Sequence, residues 1–217
     1  MNCSILRRTL VGVACSIGMT LTCHANIVFI GGLDIDIPAD FGGVYLDIQE
    51  NSVVETTATG AWDFNPFFGG AVLHNDPAFQ PVRDSVSSTS PVLNLSLGTL
   101  VDGTSTFSSG FGNSGADPDT ETHMAGELGS GSLPFTSGSV GYIGFSWDHD
   151  GDGGAGTDVR YGWLRVTLND DGSSGTVHAI GYEVDPGVGI LVGAIPEPTV
   201  SLLAILGAFG LFFRRRR

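Results

Sequence analysis

The chain has 217 residues, with 33 glycines, nine arginines, no lysine and a formal net charge of −14. Between Asn26 and Ile195 three arginines (Arg83, Arg160 and Arg165) stand against 22 acidic residues, a formal charge of −19. That balance excludes a phosphate-tracking surface and therefore nucleic acid as a partner, and it favours solubility and divalent cations. All three cysteines (Cys3, Cys15 and Cys23) precede Asn26, so the region that follows can hold no disulfide framework, redox pair or cysteine zinc site.

The first 25 residues read as a secretory signal peptide. Arg7 and Arg8 form a basic region, Leu10–Leu21 is mostly apolar, and Cys23-His24-Ala25 places a small residue at each end of a cleavage triplet. Cutting is expected after Ala25. The rival is a lipoprotein modified at Cys23, for which Thr22 is a poor preceding residue.

Residues 26–195 are long enough for one sizeable core. Glycine is abundant, helical periodicity is absent, and short apolar runs alternate with Gly, Asp, Ser and Asn turns. The expected strands are Asn26–Ile30, Val44–Gln49, Gly60–Phe64, Val92–Leu97, Val140–Trp147, Val159–Leu168 and Thr176–Val184. No fixed-period repeat argues for a solenoid or propeller. The fold class predicted is all-β, a β-sandwich or jelly-roll-like ectodomain. Thr99–Ser139, rich in Gly, Ser and Thr, cannot be ordered from its pattern.

The best-patterned stretch is a three-strand meander. Tyr142-Ile143-Gly144-Phe145-Ser146-Trp147 leads into an acidic loop, Tyr161-Gly162-Trp163-Leu164-Arg165-Val166 follows, and Val177–Val184 closes it after a turn at Asn169–Gly175. Core packing accounts for its aromatics; the competing reading makes Trp147 and Trp163 a sugar-stacking platform.

The loop itself reads Asp148-His149-Asp150-Gly151-Asp152-Gly153-Gly154. Carboxylates at positions 1, 3 and 5 with glycine at 6 match the first half of a calcium loop, where alternation lets them converge on a hard cation. Position 12 is Val159 rather than a bidentate Glu, and no helices flank the loop; Asp158 offers a late carboxylate. A solvated acidic turn is the alternative. His149 suits softer metals than calcium.

Enzyme signatures are missing: there is no G-x-S-x-G elbow, H-E-x-x-H helix or P-loop. Acidic pairs such as Asp34/Asp36 and Asp117/Asp119 arise by chance in so acidic a region.

Residues 196–217 carry the most specific pattern. Pro196-Glu197-Pro198 is followed by an apolar run from Val200 to Phe213 and by Arg214, Arg215, Arg216 and Arg217. As a helix, Thr199–Phe213 would span about 22 Å, short for a bilayer core of roughly 30 Å. The four arginines should stay on the cytoplasmic side and leave the rest of the chain outside. This succession of motif, short apolar segment and basic stop resembles the PEP-CTERM sorting domain of Gram-negative bacteria. The "YIGF … YGW … GYE" succession of the meander is similar to the block that often precedes this tail. Gly43-Val44-Tyr45-Leu46-Asp47 and Trp62-Asp63-Phe64-Asn65-Pro66 resemble other such ectodomains, less specifically.

The resemblance implies export, transient tethering in the inner membrane, cleavage near Pro196-Glu197-Pro198 by an exosortase, and release to the cell surface, outer envelope or extracellular matrix. The role expected is non-catalytic, structural or binding, with polysaccharide as a partner. A calcium-assisted lectin-like module is the second reading and a glycoside-active enzyme the third.

Overall fold

The computed structural model describes residues 26–76, 78–86, 90–107, 122–123, 135–149 and 158–196. These residues form an all-β structure of antiparallel sheets, with one short 3-10 turn at Phe68–Gly70 among them. The first 25 residues and residues 197–217, where the signal peptide and most of the sorting tail are expected, lie outside the described part. Among the described residues no helix is long and apolar enough to cross a membrane.

One five-stranded sheet is built from β1 (Ile27–Ile37), β11 (Gly175–Glu183), β10 (Val159–Thr167), β9 (Val140–Asp148) and β6 (Phe79–Pro81), in that order. The other runs β3 (Ser52–Thr56), β2 (Tyr45–Gln49), β4 (Phe64–Phe67), β5 (Val72–Asn75) and β8 (Thr122–His123). A two-stranded ladder joins β7 (Leu100–Val101) to β12 (Ile190–Leu191).

The two large sheets share a single core. Ile37, Phe145, Leu164 and Ile180 come from the first sheet and Leu46, Ile48, Phe64 and Leu73 from the second. Phe64, Phe79 and Phe145 stack at 4.9 and 4.8 Å between ring centroids and so carry the packing from one sheet to the other. The opposite face of the first sheet is also buried. Tyr161, Trp163 and Ala179 pack there against Val82, Val101, Ile190 and Val192. Burial on both faces explains why β9, β10 and β11 read as near-continuous apolar runs rather than as strict alternation.

The register of these strands explains their glycines. Phe145, Gly162 and Tyr182 form one cross-strand row, and Gly144, Trp163 and Gly181 form the next. Each large ring thus lies beside a residue with no side chain. A Cβ on Gly162 would meet the Phe145 ring and, at 2.8 Å, the Gly181 carbonyl; one on Gly181 would meet the Trp163 ring at 2.6 Å. The glycines are the space the aromatics occupy.

The meander and the expected strand Val44–Gln49 (β2) follow the sequence reading to within a residue or two, and the remainder departs from it in identifiable ways. β1 continues to Ile37 instead of ending at Ile30, because Gly31 and the following residues form a bulge rather than a turn. Gly32 and Asp34 take φ values of 68° and 45° there, and pairing with β11 resumes at Ile35. Gly60 belongs to a turn closed by its N–H to the Thr57 carbonyl, so β4 starts only at Phe64. Val92–Leu97 is not a regular strand: it makes a single bridge, Val92 to Arg83, with further bonds from Leu93 N to Val82 O and Leu95 N to Tyr142 O. The sequence pattern did not yield β3, β5 or β6.

Candidate functional site: an acidic cleft beside the β9–β10 loop

At the end of β9, Trp147, itself part of the core, forms with Asp148 and His149 one wall of an open cleft of about 450 Å³. The opposite wall is the end of β2 and its turn into β3, with Asp47, Gln49 and Glu50. The floor comes from Gly60–Asp63, ahead of β4, and from Asp76 and Ala78, between β5 and β6. Five carboxylates therefore border one concavity: Asp47, Glu50, Asp63, Asp76 and Asp148.

Asp63 is fixed most firmly. Its N–H donates to the Leu46 carbonyl and its own carbonyl accepts from Asp76 N–H, which ties β2, β4 and the β5–β6 connection together. Its carboxyl accepts the Ile48 N–H at 2.5 Å and the Trp147 indole N–H. The side chain is buried, and this desolvation pushes its pKa from the usual 3.8 up to about 7. The neighbouring Asp47 and Asp76 add to the rise, while the Ile48 and Trp147 hydrogen bonds oppose it.

Trp147 is 3% exposed. Its ring meets Tyr182 edge-on at 5.4 Å and His149 at 4.8 Å, and the Arg160 guanidinium stands 5.8 Å from its centroid. Tyr182 reaches across to the β2–β3 turn, where its hydroxyl accepts the Asn51 N–H at 3.0 Å. Trp163 is 2% exposed and belongs to the core on the other face of the sheet. The two tryptophans therefore sit in different cores, and neither offers an open face for sugar stacking. The reason is the register: Trp163 fills the gap left by Gly144 and Gly181, whereas Trp147 lies opposite Arg160 and Phe79. The tryptophan that does line the cleft with partial exposure is Trp62, packed edge-on against Tyr45 at 5.4 Å.

Two of the four candidate calcium ligands are described. Asp148 ends β9 and pairs with Val159, so Asp148 and Asp158 stand at the two feet of the loop. Asp148 is buried and Asp158 half-buried. Asp150 and Asp152 lie outside the described residues. Among those described, no three His, Cys, Asp or Glu side chains come together as a metal site. Of the sorting motif, Pro196 is the last described residue; Glu197, Pro198 and Arg214–Arg217 lie beyond it.

The structure also brings forward residues the sequence reading passed over. Arg83 is 1% exposed and donates from Nη1 to the Ser90 carbonyl at 2.9 Å and from Nη2 to Asn75 Oδ1 at 3.2 Å. Burial lowers its pKa to about 10. Glu183 is 0% exposed at the end of β11. In a chain so poor in cations, an arginine away from both termini was the one available signal for a core charge at Arg83. Nothing in the pattern separated Asp63 or Glu183 from twenty other acidic residues. No family model, no curated protein and no solved structure matches this chain.

Proposed function

We propose that this chain is an exported protein of the cell envelope or extracellular matrix, cut after Ala25 by signal peptidase and sorted by an exosortase at Pro196-Glu197-Pro198. The observation that carries the reading is the succession of that motif, the apolar run Val200–Phe213 and four arginines. Proline lacks a backbone N–H and disfavours helix in the residue before it, so the motif stays extended, as a protease substrate must. The precursor is held briefly in the inner membrane, and the mature protein resides at the surface, in the outer envelope or in the matrix.

The ectodomain in this reading is a β-sandwich, supported by the core that the two antiparallel sheets share. Its role is structural or binding rather than catalytic. The cleft is the binding surface we propose, with extracellular polysaccharide as the partner and Trp62, not Trp147 or Trp163, as the accessible ring. Calcium is the proposed cation of the loop between Asp148 and Asp158, supported by the register that sets these two carboxylates at its feet; a calcium-dependent rise in melting temperature is its test.

Replacing Pro196-Glu197-Pro198 with three alanines tests the sorting step. Export continues, and uncut precursor accumulates in the inner membrane, a few kilodaltons heavier than the normal product on immunoblots of fractionated cells. Recovery of that variant at the surface at wild-type size would show that no exosortase reads the motif.

A further inference from the structure

Glu183 is a carboxylate with no exposure, in a region where 22 acidic residues face three arginines. Its Oε1 accepts three backbone N–H groups: Asn26 at 2.8 Å, Val184 at 3.1 Å and Asp185 at 3.4 Å. Its Oε2 is buried and has no hydrogen-bond partner among the described residues. A buried charge with one oxygen left unpaired is unfavourable unless a cation or further donors reach it. The nearest of the three donors is the backbone nitrogen of Asn26, and Ile27, the next residue, is the register partner of Glu183 itself. The Asn26 carbonyl in turn accepts the Val184 N–H at 2.9 Å, so this nitrogen is held in place from both sides.

We infer that Glu183 is the receptor for the new N-terminus of the processed chain: cleavage after Ala25 turns the Asn26 amide into an α-ammonium that forms a buried ion pair with the Glu183 carboxylate. The inference rests on the signal-peptide reading above. Hydrolysis of the Ala25–Asn26 bond leaves a carboxylate on the departing peptide and an amine on Asn26. That amine takes up a proton and presents two more N–H donors than the amide did. They arise beside the carboxylate whose second oxygen lacks a partner. Before cleavage only backbone amide N–H groups reach Glu183; afterwards it holds a fourth cation of the region. Maturation thus completes the edge of the first sheet, where β1 meets β11.

The chain itself supplies a clean assay. It contains no lysine, so the α-amine is the single primary amine of the processed protein. Wild-type protein and Glu183→Gln are exported, purified as processed, checked by mass spectrometry of the N-terminal peptide, and acetylated near neutral pH with an N-hydroxysuccinimide ester. An ion-paired amine stays protonated and reacts slowly, about ten-fold more slowly for each unit its pKa is raised. We expect native wild-type protein to react at least about ten-fold more slowly than Glu183→Gln or the urea-unfolded chain. A second variant keeps Glu183 and inserts one serine before Asn26, moving the ammonium along by about 3.8 Å; it should fold and react quickly. A start at Asn26 with equal rates in wild type and both variants overturns the receptor and leaves the export reading standing. A start at any other residue overturns the cleavage reading and the receptor with it.

Discussion

At the scale of single residues, desolvation has moved Asp63 and Arg83 from their ordinary behaviour. Asp63 shows the consequence for stability. Below about pH 4 its carboxyl is protonated whether the chain is folded or not. Between that pH and about 7 only the folded chain keeps the proton, so the folded state binds more protons and stability falls as pH rises. Above about 7 the loss is complete. The loss from this group is on the order of 4 kcal/mol. Asp63→Asn keeps an acceptor for the Ile48 N–H and removes the titration. Urea unfolding at pH 5 and pH 8 should therefore show a smaller difference in the variant than in the wild type. An equal difference in both would mean that Asp63 does not titrate in this window.

At the scale of elements, the three long strands of the meander owe their fit to alternating rings and glycines. Gly162→Ala places a methyl group against the Phe145 ring and the Gly181 carbonyl. Overpacking of this kind costs about 1–3 kcal/mol. Phe145→Leu in the same chain makes room, so the double variant should be less destabilised than the two single losses added, by about 1 kcal/mol in thermal unfolding. Strict additivity would show that the two residues do not contact. The meander was legible because each of its strands is a long apolar run ended by turn residues, and local pattern suffices for that. Short strands in both sheets were not legible. β3, β5 and β6 are three to five residues long, and their pairing is decided by which distant strand covers them. The strand ends that flank the acidic segment were legible, whereas the cleft beside them was not. The cleft combines residues from β2, from the segments before β4 and β6, and from the end of β9, and no local pattern connects these.

At the scale of the whole molecule, a formal charge of −19 between Asn26 and Ile195 makes self-repulsion a general opponent of folding. At physiological ionic strength the screening length is about 8 Å, so sodium chloride should raise the melting temperature smoothly. Calcium at matched ionic strength should raise it further if the loop holds the ion in the native state alone. Asp150→Ala should remove the additional rise and leave the sodium response intact. Identical melting curves in the two salts would leave the loop as a solvated acidic turn.

The pairing of β1 with β11 carries a kinetic consequence. Asn26 and Glu183 are 157 residues apart in the chain, yet they close the same sheet edge. In the export proposed above, the first strand to emerge therefore has no partner until almost the entire domain has followed it. Contacts of such sequence separation form slowly. A chain threaded through a membrane from its N-terminus cannot lock this sheet too early on the near side, nor complete it on the far side before its last long strand arrives. In that proposed export, the β1–β11 pairing leaves the chain threadable and makes closure of this edge the last event.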